Sequence, residues 1–142
     1  MRILGIDYGS KRIGVAMSDE LGITAQGLAT IIRKNQKQAL EEIAKWIKTY
    51  GVEKIVIGYP IKLNGTEGIQ CEKVRKFAKL LEAKFCIPVI TWDETLTTKE
   101  AEDILIQANM RRDKRKLVVD KLAAILILQG YLDSRKHMVK SY

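Results

Sequence analysis

The sequence predicts an α/β domain, a mixed five-stranded sheet with helices on both faces. Two observations lead there. Three short apolar segments near the N-terminus are separated only by tight turns, the pattern of an antiparallel meander. From Ala39 onward the apolar residues recur at helical spacing, and the helical stretches alternate with short buried strands, which sets those later strands parallel to the first. The length, 142 residues, suits a single domain covering 1–142.

The first strand is Arg2 to Asp7, turned by Tyr8-Gly9-Ser10-Lys11-Arg12. The second is Ile13 to Ser18, turned by Asp19-Glu20-Leu21-Gly22. The third runs from Ile23 to Ile32, with Gly27 as a bulge or bend. Ala39, Leu40, Ile43, Ile47 and Tyr50 then mark a helix that Gly51 ends. Lys54 to Gly58 is a buried strand closed by Tyr59-Pro60. A loop over 61–68 leads to a helix whose core face is Val74, Phe77, Ala78, Leu81 and Phe85. Pro88 to Trp92 is the fifth strand. Thr97 or Thr98 caps a third helix, with Ala101, Ile104, Leu105 and Ala108 inward. A last helix, from about Val118 to Asp133, is apolar on nearly every side in its middle and therefore well buried. The order βββ-α-β-α-β-α-α is that of the ribonuclease H-like fold.

Composition excludes several function classes. Cys71 and Cys86 form no CxxC or Cys/His cluster, so a zinc ribbon or thioredoxin-like site is ruled out. Both are expected to be reduced packing residues in a cytoplasmic protein without a signal peptide. The one His, His137, lies in a basic tail, which removes a Ser/His/Asp triad. No apolar run approaches the ~20 residues of a membrane span. There is neither a GxGxxG nor a GxxxxGK[ST]. The 25 Lys and Arg against 17 Asp and Glu leave a net charge of +8, which favours a polyanionic partner, though solubility alone accounts for such a charge as well. The charge concentrates in Arg111, Arg112, Lys114, Arg115, Lys116 and Lys121, which reads as a mobile loop meeting phosphates.

Three carboxylates stand at element ends. Asp7 ends the first strand, Glu94 follows the fifth, and Asp120 sits in the first turn of the last helix. In a ribonuclease H-like sheet the first strand is central, so the three converge. Converging carboxylates repel unless cations neutralise them, and oxygen-only ligands select Mg²⁺ or Mn²⁺, as a two-metal site. Each acid also has a plainer role: Asp120 as an N-cap, Glu94 as a first-turn helix acid, Asp7 as a cap of the Gly9 turn. Lys11 and Arg12 lie beside Asp7 and either hold phosphates or are solvated turn cations.

Four stretches resemble the YqgF/RuvX family in order: Gly5 to Ala16; Gly58-Tyr59-Pro60 with Asn64-Gly65-Thr66-Glu67; Asp93 to Thr98 with Ala101 and Glu102; and Asp120 to Gln129. The likeness spans nearly the whole chain. It implies a metal-dependent ribonuclease H-like nuclease acting on the 5′ end of precursor 16S ribosomal RNA, or a Holliday junction resolvase acting on branched DNA. By motif position the acids are again Asp7, Glu94 and Asp120. Thr95 stands where the family usually has Arg, which removes one possible phosphate contact. The expected partner is structured RNA or branched DNA, with no membrane, and the chain a monomer or weak homodimer. Two other functions compete. A sugar-kinase or actin-like ATPase opens with a similar Gly-x-Asp-x-Gly turn but needs two such domains. A non-catalytic nucleic-acid-binding module would keep the basic residues without needing the acids.

Overall fold

A computed structural model describes residues 1–60, 68–93, 103–104, 106–108 and 112–140, with side chains of the last segment from 118 to 135. Its sheet has five strands: β1 (Arg2–Tyr8), β2 (Arg12–Ser18), β3 (Ala25–Ile32), β4 (Val52–Tyr59) and β5 (Val89–Asp93), in the spatial order β3-β2-β1-β4-β5. β1 is central. It pairs antiparallel with β2 and parallel with β4, and β5 pairs parallel with β4. The predicted meander and the two later parallel strands are therefore present. The β2–β3 register shifts where Ala29 and Gly27 face Val15 and Ala16, so Leu28 is the extra residue of a bulge beside Gly27.

Strand alternation sorts β1 between two cores. Leu4, Ile6 and Tyr8 face α1 (Gln36–Tyr50) and α2 (Ile69–Phe85), among Leu40, Ile43, Val74, Phe77 and Leu81. Ile3 faces the opposite core, with Ala16, Val56, Ala124, Ile127 and Leu128. That core is covered by α3 (Arg112–Lys140). Gly5 and Asp7 share the Ile3 face by the period of two. α1 is capped by Asn35, whose side chain accepts from the Gln38 N–H, and ends on Gly51 at φ 63°, where only glycine is unstrained.

Three expectations fail here. The last helix begins at Arg112 rather than about Val118, so the supposed basic loop over Arg112, Lys114, Arg115 and Lys116 is helix backbone. Lys, Arg and Leu are strong helix formers, no Gly or Pro interrupts them, and Asp113 in the first turn suits the helix dipole. Ile104 and Ala108, expected to face inward, are exposed. Cys71 is buried as expected, but Cys86 is exposed: it caps α2 in the left-handed region at φ 55°.

α3 lies unusually close to the sheet because the strands beneath it lack side chains. A Cβ on Gly14 would stand 1.9 Å from the Asp120 carbonyl oxygen, and one on Gly5 would stand 2.7 Å from Leu128 Cβ. Gly27 continues the seat on β3 but meets only the flexible Lys121 and Ile125 side chains, at 3.0–3.1 Å. At the far edge the Trp92 indole fills the space over Gly130 and meets the Tyr131 ring edge-on, with centroids 5.8 Å apart. Gln129 fastens the helix to the start of β3, accepting from Ala25 N and donating to Ile23 O.

Gly14→Ala forces α3 backbone off β2 and should cost about 3 kcal/mol or more, whereas Gly27→Ala should cost under ~1 kcal/mol. Urea denaturation of both variants checks this; equal losses would show that the helix does not rest on Gly14.

Candidate nucleic-acid processing site

Asp7 stands at the C-terminal end of the central strand, directly opposite Gly14 on β2. It is 9% exposed, one of two buried polar side chains among the described residues. Because Gly14 carries the Asp120 backbone, α3 brings Asp120 onto the face of the sheet that Asp7 occupies, next to Asp7's cross-strand partner. Asp120 is more than two turns inside α3, so the N-cap role is excluded. Its carboxylate Oδ2 accepts from Arg12 Nε at 2.6 Å. The Asp120 side chain is 15% exposed and Arg12 34%, so the pair is half-screened from water and counts as a charge-assisted hydrogen bond rather than a surface ion pair.

Arg12 ends the β1–β2 hairpin. Gly9 N donates to Arg12 O at 2.9 Å, and a Cβ on Gly9 would lie 2.5 Å from that oxygen, so only glycine makes this turn. Gly9, Ser10, Lys11, Arg12 and Asp120 line a cavity of about 200 Å³. Lys11 is exposed on its rim. A larger cavity, about 410 Å³, opens at the other end of the sheet between Arg2, Ser18, Glu20 and Gln26, away from both acids.

The structure thus brings together Asp7, Asp120, Lys11 and Arg12. Glu94 and Arg111 lie outside the described residues. Arg112, Arg115 and Lys116 belong to the first turns of α3, and their side chains lie outside the description as well. Among the described residues no three His, Cys, Asp or Glu side chains gather as a metal site. No sequence signal pointed to Arg33, which follows β3 and reaches back to the hairpin: its Nη1 donates to Gly9 O at 3.0 Å and Ser10 O at 3.3 Å. Nor did any point to Gln70, whose amide donates to Tyr8 O at 2.8 Å and ties α2 to the end of β1. Both act on backbone carbonyls across the fold, which no local motif encodes.

The model of the RuvX family, described as Holliday junction resolvase, matches residues 1–134. The chain belongs to this family. A relative from Syntrophus aciditrophicus is 65% identical over 134 residues, covering 94% of this chain and 89% of its own. One from Bacillus subtilis is 52% identical over 137 residues, covering 94% and 99%. Both are named "Putative pre-16S rRNA nuclease". Among solved structures, fowlpox virus resolvase with its Holliday junction superposes with a TM-score of 0.61 at 17% identity, covering 95% of this chain and 99% of that one. Thermus thermophilus RuvC with a junction substrate gives 0.60 at 13%, covering 96% of each. At such identities the likeness establishes the ribonuclease H-like fold. Within the RuvX fold the motif residues Gly5, Asp7, Gly9 and Gly14 are one device: the glycines shape the turn and the helix seat around the acid.

Removing one partner leaves the other charge half-buried and unpaired. A double-mutant cycle of Arg12→Gln and Asp120→Asn should give a coupling of about 1 kcal/mol, below the ~1.5–3 kcal/mol of a buried hydrogen bond to a charged group because Arg12 is a third exposed. Denaturation midpoints measure it; zero coupling would make the pair an ordinary surface contact.

Proposed function

We propose that the chain is a cytoplasmic, metal-dependent nuclease that hydrolyses phosphodiester bonds in structured RNA, at the 5′ end of precursor 16S ribosomal RNA. The observation that carries this is the seating of Asp120 over Gly14 beside the buried Asp7. Two carboxylates on one sheet face, at the end of its central strand, adjoin a cationic hairpin. The relatives named as pre-16S rRNA nucleases support the substrate.

The residues fit a hard divalent cation. The donors are carboxylate oxygens without His or Cys, the set that selects Mg²⁺ or Mn²⁺. Asp120 already engages one cation, the Arg12 guanidinium. In this reading Asp7 and Asp120 hold the ions with Glu94 as third ligand. Bound ions of this kind polarise the scissile phosphate and acidify a water for in-line attack. Asp7, paired with Gly14 on β2 and directly following Ile6, which pairs with Ile57 on β4, holds its carboxylate without rearrangement. Lys11 and Arg12 bind phosphate oxygens on the hairpin side, while Arg112, Arg115 and Lys116 of the first turns of α3, with Arg111 before them in the sequence, extend the cationic path along the substrate backbone. Such contacts position a nucleic acid without reading its bases.

The description of the family as Holliday junction resolvase favours a second reading, in which the same chemistry cuts branched DNA. A junction needs two symmetric cuts and so a two-fold dimer. No helix among the described residues is long and apolar enough to cross a membrane.

Labelled precursor 16S RNA and a four-way DNA junction, incubated side by side with Mg²⁺ or Mn²⁺ and with chelator, separate the readings. RNA cleavage that chelator abolishes is expected; binding of either substrate without cleavage would leave a non-catalytic module. Asp7→Asn should fold normally and lose cleavage by more than the 10–100-fold typical of an outer-shell partner, because the amide keeps the shape and removes the charge. An unchanged rate in that variant would sink the metal mechanism.

A further inference from the structure

Arg33 is partly buried and no carboxylate among the described residues pairs with it, yet its hydrogen bonds converge on one turn. Three consecutive carbonyls of the hairpin are held by this single residue. Gly9 O and Ser10 O both accept from Nη1, and Lys11 O accepts from the Arg33 backbone N–H at 2.9 Å. Nη2 donates to Gln36 Oε1 at 3.0 Å, which anchors the guanidinium to the first turn of α1. Its plane lies over the Tyr8 ring, 4.8 Å from the centroid, and Tyr8 in turn stacks on Phe77 at 4.2 Å. Nε is buried without a partner, so the side chain carries a desolvation cost that its other contacts must offset.

The consequence for the turn follows from peptide geometry. Among the described residues no peptide bond is cis, so each N–H of the turn points opposite to the carbonyl of the same peptide unit. Drawing Gly9 O and Ser10 O onto one nitrogen directs the N–H groups of Ser10 and Lys11 away from Arg33. Successive backbone N–H groups presented together form an anion-binding concavity. Lys11 and Arg12 extend from the same turn beside the cavity that Asp120 closes.

We infer that Arg33 is a positioning residue. It sets the hairpin so that the Ser10 and Lys11 N–H groups and the Lys11 ammonium together receive one substrate phosphate. This rests on the proposed nuclease reading, in which the hairpin meets the nucleic-acid backbone. Lysine cannot substitute, because an ammonium lacks the planar fork that reaches two carbonyls and Gln36 while lying on Tyr8.

The test is a double-mutant cycle in binding. Affinity for a labelled transcript carrying the 5′ end of precursor 16S RNA is measured against salt, with Mg²⁺ omitted, for wild type, Lys11→Ala, Arg33→Met, Arg33→Lys and the double variant Lys11→Ala/Arg33→Met. Lys11→Ala should weaken binding and flatten the salt dependence by about 0.7–0.9 log units per lost contact. Arg33→Met should weaken it about tenfold, and Lys11→Ala added to it should cost little more, because a collapsed turn no longer presents Lys11. Arg33→Lys should behave like Arg33→Met. Circular dichroism confirms the fold of each, and Arg33→Lys carries the comparison alone if Arg33→Met fails to fold. Additive losses, or wild-type affinity in Arg33→Lys, would mean that Arg33 acts as an independent charge and would overturn the inference. No effect of Lys11→Ala in the wild type would overturn the phosphate-binding hairpin itself.

Discussion

The contact on which the structure depends is that between α3 and the sheet across Gly14 and Gly5. A helix normally rests on the side chains of the strands below it. Here the strands offer none at two neighbouring positions, and the helix backbone comes down until the Asp120 carbonyl sits where a methyl group would be. The hydrophobic residues of α3 then fill the rest of the face: Ala124, Ile127, Leu128 and Leu132 against Ile3, Ala16 and Val56. Gln129 and Trp92 fix its azimuth at the two sides of the sheet. Asp120 has no freedom to choose another height above Gly14, the cross-strand partner of Asp7. The apparent extravagance of three glycines in one short stretch, Gly5, Gly9 and Gly14, is the geometry of the site.

The electrostatics follow from that proximity. Two acids on one face of an apolar sheet destabilise each other unless cations intervene. The chain supplies one itself, since Arg12 binds Asp120 at 2.6 Å. A surplus of eight positive charges makes such pairing easy without exhausting the cations available to a polyanion. Arg33 shows the other use of a cation: its charge is spent on carbonyl dipoles and a ring face rather than on a carboxylate, and what it secures is backbone conformation.

Much of this was legible in the residues. The element order, the meander and the parallel pair follow from where the apolar period changes, because periodicity is read directly along the chain. Gly27 as a bulge or bend and Gly51 as a helix end were legible for another reason, the conformational freedom of glycine, and the bulge falls at Leu28 beside Gly27. The start of α3 was not. A dense basic run looks like a solvated loop when charge is weighed, yet helix propensity, with Lys, Arg and Leu in series, decided the backbone. Ile104 and Cys86 were misplaced because apolar character indicates burial only on average. Asp7 could be named as a candidate from its place at a strand end, whereas Asp120 was named from a helix start that lies eight residues earlier. The Arg12–Asp120 pair spans 108 positions, and Arg33 acts through carbonyls, so neither leaves a local trace.

That α3 continues as helix to Arg112 turns a tether into a ruler. Leu128 rests over Gly5 and Asp120 over Gly14, which faces Asp7, so the turns of α3 before Asp120 run toward the end of the sheet where Asp7 stands. Arg112 lies eight residues before Asp120, about 12 Å along the axis at 1.5 Å per residue. A loop of that length would sample many spans, whereas a rod holds one. Phosphates along one strand of a duplex are about 3.4 Å apart along the axis, so the rod measures between three and four of them. In the proposed nuclease reading, the distance between a backbone phosphate held at the tip and the bond cut beside Asp7 would be written in helical rise, and a single inserted residue would change it by about 1.5 Å and rotate the tip by about 100°.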